Sequence, residues 1–260
     1  MLKAAYLFSA IILLSLSSNS HASTTSTNKR AFCSDRKSSN YIKSLAQTRK
    51  ANMSFINRGG IGNAGVCWWH SRFVRNALYL TYYRSDLPRP SDRQAKKIIK
   101  KIRKGKSVVM IPGFRDFREF SREYEDLIQK QLEKWQLFDG LIAQQWVVGL
   151  SGKSEVKEEK LQSMMEELYS YVVGGKNIAY QKLQIKGIDA HSWLVVDMKK
   201  RAYGYDLYII DSNFYNSPIR YTYNYGDTYF THAQYGNFVP YLEKEKELTR
   251  LKKTVAKFCR

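Results

Sequence analysis

The sequence predicts one α+β domain, with helices first and an antiparallel sheet after them. Apolar residues recur at helical spacing as far as about residue 173. At Gly174-Gly175 the period changes to the alternation expected of half-buried strands. No internal repeat or linker-like composition divides the chain, so both halves belong to one core.

Residues 1–22 read as a signal peptide. Lys3 supplies a positive start, Ala4 to Leu16 is largely apolar, and Ser20-His21-Ala22 is a small-x-small cleavage signal. The apolar run is short for a membrane span, so the mature chain is expected to be exported, periplasmic or secreted, from about Ser23, with no span left. Residues 23–32 read as a flexible polar tail and 33–260 as one catalytic domain. About 230 residues suffice for a single core.

A glycine loop, Gly59-Gly60-Ile61-Gly62-Asn63-Ala64-Gly65, runs into a helix over 68–83. Trp69, Phe73, Ala77 and Leu80 form its apolar stripe, widened by Val66, Val74 and Leu78, with Arg72, Arg75 and Asn76 on the opposite face and Pro88 and Pro90 to end it. The basic segment 92–104 is a second helix, and 107–111 a strand or loop. Phe117, Phe120, Tyr124, Leu127, Ile128, Leu132 and Trp135 predict one helix over 117–136. Residues 141–150 fit either state. A helix over 155–173 carries Met164 and Met165 as core filling. Strands follow at 177–186, 191–199 and 207–211, with a turn over 199–205, then two more at 219–225 and 228–231. A final helix is expected from about Pro240 to Lys257, ending at Cys259.

Lys and Arg number 43 against 23 acids, a net charge of +20 that favours polyanions. Between Arg93 and Lys106 stand eight basic residues and no acid. Neither zinc-finger spacing nor an aromatic RNA-binding strand accompanies them, so nucleic acid is not expected, and the run reads as a solvated face or a contact for an anionic envelope polymer. No metal spacing occurs around Asp189 and His191, and no cofactor is called for. Of the three cysteines, Cys33 and Cys259 stand near opposite ends of the mature chain, and domain termini tend to lie close together. Their pairing leaves Cys67 as a lone thiol in an oxidising compartment.

Cys67 stands where the glycine loop meets its helix, and unpaired N–H groups in a first helical turn favour a thiolate. A nucleophilic cysteine needs a base, and the base needs an acceptor on its second ring nitrogen. His191 starts one apolar strand and Asp211 ends the next, so antiparallel pairing makes them neighbours. His70, three residues past Cys67, reads as structural, and His232 carries no signal.

In this order and context, Gly65-x-Cys67-Trp68, His191-x-Trp193 and Asp211 resemble the papain-like cysteine peptidase superfamily in its broad sense, with its transglutaminase-like and NlpC/P60-type members, over about residues 59–215. The resemblance implies a papain-like fold, with N-terminal helices, a central nucleophile helix and then the antiparallel sheet. It implies a nucleophile at Cys67, a general base and then acid at His191, and an orienter at Asp211, with Asn213 as the alternative. An oxyanion-hole amide is implied before the cysteine: Ile61 stands six residues before it, and Asn63, four before, is the nearest amide. The implied activity is hydrolysis of a peptide or amide bond, in a peptide, a protein or a peptidoglycan stem peptide, through a thioester. The alternatives are a transglutaminase-like acyl transferase, a peptidoglycan amidase, or a catalytically silent envelope-binding module.

Overall fold

The computed structural model describes residues 25–38, 40–61, 65–142, 153–185, 190–215, 218–234, 236–242 and 246–260. The expected signal peptide, Asn63 and most of 141–150 lie outside them. The chain is α+β, with helices α1 (Lys29–Lys37), α2 (Tyr41–Ala46), α3 (Cys67–Leu80), α4 (Asp92–Lys104), α5 (Phe117–Glu123), α6 (Glu125–Gln136), α7 (Glu158–Tyr169) and α8 (Lys246–Phe258). The main sheet contains β3 (Ala179–Gln184), β4 (Ala190–Arg201), β5 (Gly204–Asp211), β6 (Ile219–Asn224), β7 (Phe230–His232) and β8 (Gly236–Leu242). Its order is β6-β5-β4-β3-β8-β7, and every pairing is antiparallel. A separate pair, β1 (Thr81–Arg84) and β2 (Val109–Pro112), is parallel.

Helix α3 is the axis of the molecule, because every residue in it except Arg72 is buried. It lies on one face of the sheet, where Leu194, Val196 and Ile210 join its core. Leu161, Met165 and Leu168 of α7 cover the other face over Trp193, Val195 and Ile209. Burial on both faces explains the long apolar runs in β4 and β5. It also explains why β3, polar in composition, is buried throughout. Gln181 Oε1 there accepts from Trp193 Nε1 at 2.8 Å, and Lys182 Nζ stands 4.3 Å from the Trp68 ring centre.

The structure corrects several expectations. Arg75 and Asn76 do not face solvent. Asn76 Nδ2 donates to Ile102 O and Arg103 O at the end of α4, and Arg75 donates to Glu247 of α8 at 2.6 Å. The helix expected to reach 83 stops at Leu80, where the β-branched and aromatic run Thr81-Tyr82-Tyr83-Arg84 pairs with β2 instead. The single helix expected over 117–136 breaks at Tyr124 (φ −115°, ψ 33°), whose hydroxyl donates to Pro90 O. Pro240, expected to open the last helix, lies inside β8, and the helix starts at Lys246.

From Thr25 onward the expected tail is held in place. Ser26 Oγ donates to Asp35 at 2.7 Å, Asn28 caps α1 and Phe32 is fully buried. Cys33 in α1 and Cys259, just past α8, form a disulfide that ties the two ends of the fold.

Candidate active site

Cys67 is the first residue of α3, 6% exposed, and the free cysteine of the three. Its helix is preceded by Val66, whose side chain has no acceptor for the first-turn N–H groups. The approach is shaped by glycine. Gly59 has φ +82°, and a Cβ added to Gly65 would stand 3.1 Å from Asn57 Nδ2 and 3.9 Å from Cys67 Sγ. A side chain at 65 would crowd the Asn57 amide and lie in contact with the thiol.

His191 lies at the start of β4, opposite Leu183 of β3, and is 4% exposed. Its Nε2 is 2.7 Å from Asp211 Oδ1, and its ring also hydrogen-bonds Cys67. With Nε2 committed to the carboxylate, Nδ1 is the nitrogen left for the sulfur. Asp211 ends β5 one pairing step away, since Trp193 pairs with Asp211 and His191 is the next residue on that face. Burial opposes charge on the imidazole, but the Cys67 and Asp211 charges and hydrogen bonds outweigh it and push the His191 pKa up to about 10. The imidazole is therefore a proton-holding group paired with a sulfur on one side and a carboxylate on the other.

Asp211 is 1% exposed, and its Oδ1 also accepts from Asn213 N at 2.9 Å. Of the two residues considered as orienter, Asp211 is the one on the imidazole, while Asn213 Oδ1 accepts from Asn57 Nδ2 at 3.2 Å. Trp68 Nε1 donates to His191 O at 3.1 Å, and Ser71 Oγ to Ser192 O at 3.3 Å, so α3, with Cys67 at its start, is stitched to β4, with His191 at its start.

Asn57 was not singled out from the sequence. Its Oδ1 accepts from Gly59 N (3.2 Å) and Val66 N (3.1 Å), and its own N donates to Ser212 O at 2.7 Å. One side chain thus ties the glycine loop, the start of α3 and the turn after Asp211. The only signal available was an Asn two residues before a glycine run, which marks a turn and nothing more.

His70 is structural: burial drops its pKa to about 4, and its ring meets Phe55 O at 3.4 Å. His232 Nδ1 accepts from Gln234 N at the end of β7, and its ring packs against Phe214 (5.2 Å) and Tyr221 (6.1 Å). Ile61 N donates to Gln136 Oε1 at 2.9 Å. Among the described residues no group of three His, Cys, Asp or Glu could hold a metal ion.

Fold and site together define an α+β protein with a cysteine, a histidine and an aspartate in hydrogen-bonded series. No family model, no curated protein and no solved structure matches the chain.

Proposed function

We propose that the protein is a papain-like cysteine hydrolase, acting on a peptide or amide bond in a peptide, a protein or a peptidoglycan stem peptide. The observation that carries this reading is the His191 ring, bonded at once to Cys67 and Asp211 in a buried site at a helix start. In the mechanism, the Cys67 thiolate attacks the carbonyl carbon. The C–N bond breaks as the His191 imidazolium gives its proton to the leaving amine, and a thioester remains on sulfur. His191, now neutral, takes a proton from water. The hydroxide displaces the sulfur, releasing the acid and regenerating thiolate and imidazolium. The first-turn N–H groups of α3 face the carbonyl oxygen as it gains charge. Asp211 keeps the ring oriented and the imidazolium stabilised throughout.

The disulfide fits an exported protein, periplasmic or secreted, and no described helix is long and apolar enough to cross a membrane.

The test is iodoacetamide alkylation of Cys67 at neutral pH in the native chain and in His191→Ala, followed by mass spectrometry of peptide and muropeptide digests. The proposal expects alkylation at least 10-fold slower without His191, and cleavage products that Cys67→Ala does not make. Equal alkylation rates in the two proteins would contradict it.

A further inference from the structure

Helices α4 and α6 form a groove remote in sequence from the Cys67 site. Lys96, Lys97 and Lys100 line one side, Lys130 and Lys134 the other, with Leu127 and Gln131 between, around a concavity of about 330 Å³. All five lysines are exposed, and among the described residues none has an ion pair or hydrogen bond. The acids of α6 are turned elsewhere. Arg58 holds Glu125 (2.8 Å) and Asp126 (3.3 Å), and Glu133 accepts from Gln129 at 3.0 Å. The fold therefore doubles the basic row visible in residues 93–106 with a second row from another helix, and leaves no acid in the groove.

We infer that this groove binds a linear phosphodiester polymer that carries no bases. Lys96 and Lys100, like Lys130 and Lys134, are one helical turn apart, which sets charges about 6 Å apart along each wall. A chain with a three-carbon polyol between successive phosphates presents its charges at a similar interval. Lysine ammoniums are point charges suited to phosphate oxygens. The lining has no aromatic side chain, so bases would find no stacking platform. It is concave with Leu127 as its sole apolar member, which suits a strand and not a bilayer surface.

The test is titration of the native chain with fluorescent poly(glycerol phosphate) over a range of salt. Five lysine contacts predict a slope of log affinity against log salt of about −3.5. The double variant Lys130→Gln/Lys134→Gln is expected to bind at least 10-fold more weakly, with a slope smaller by about 1.4. The charge-matched control Lys246→Gln/Lys253→Gln, exposed on α8, is expected to bind as the native chain does. Unchanged melting and Cys67 alkylation establish that the variants are folded. Absence of binding, or an equal loss in the control, overturns the proposal. So does equally tight binding of oligothymidylate or phosphatidylglycerol vesicles with the same dependence on Lys130 and Lys134.

Discussion

Asp211 uses one oxygen to receive both His191 Nε2 and Asn213 N, so its charge and its position serve different partners. Asp211→Asn keeps the shape and removes the charge. We expect kcat/KM to fall by roughly 10²–10⁴-fold. The pH profile should change too. In the proposed mechanism the imidazolium is the acid for the leaving group, so activity is expected to be lost as pH rises through about 10. Without the Asp211 charge the ring gives up its proton sooner, and the alkaline limb moves to lower pH. Asn57→Ala deletes the side-chain bonds that hold the glycine loop to α3 and to Asn213, buried donors among them. A loss of about 1–3 kcal/mol in urea unfolding, with slower Cys67 alkylation, is expected. Cys67, His191 and Asp211 were legible because each sits at the end of an element whose period is visible in the sequence. Asn57 was not, because its partners come from three separate stretches and no periodicity links them.

At the scale of elements, α4 has the bounds expected for the basic segment 92–104, and the structure shows why: Ser91 with Gln94 makes a capping box, and Gly105, at φ +62°, ends it. The errors came where tertiary contacts outweigh local pattern. The start of α8 was missed because Pro240 lies within β8, opposite Leu183 of β3 and past the Gly236 to Phe238 stretch that β7 pairs, rather than in a first helical turn. The polar look of Arg72 and Arg75 misled for a similar reason. Both are received by Glu247 of α8, itself 7% exposed, and Arg72 also donates to Asp139 at 2.8 Å. The Glu247 carboxylate holds the Arg72 guanidinium well above its usual range against the cost of burial. Glu247→Ala removes a carboxylate shared by three guanidiniums, those of Arg72, Arg75 and, at 3.0 Å, Arg250, and a loss of about 3–5 kcal/mol in urea unfolding is expected.

Over the whole molecule, α3 links two surfaces, with the thiol at its start and Arg36 at its end. Arg36, from α1, donates to Leu78 O, Tyr79 O and Thr81 O, so a cation closes the carbonyl end of α3. Three residues away in the same α1, Cys33 joins Cys259 across a sequence separation of 226. Closing so long a loop is worth about 5 kcal/mol in the chain-entropy account. Cys33→Ala/Cys259→Ala should lower the urea midpoint by a corresponding amount, while the native chain shows the same shift only with reductant present. The α+β order and this pairing were visible because they depend on period and on termini. The strand order was not, because β8 reaches β3 across almost sixty residues of chain, a distance about which local pattern carries no information.

The most direct measurement is the ¹⁵N NMR titration of the His191 ring in the native chain and in Cys67→Ala. A catalytic pair predicts a ring that keeps both protons up to about pH 10 in the native chain and loses one at clearly lower pH without the sulfur. A native ring that titrates near the ordinary value of about 6.5, unchanged by Cys67→Ala, would contradict the pairing and the hydrolase reading with it.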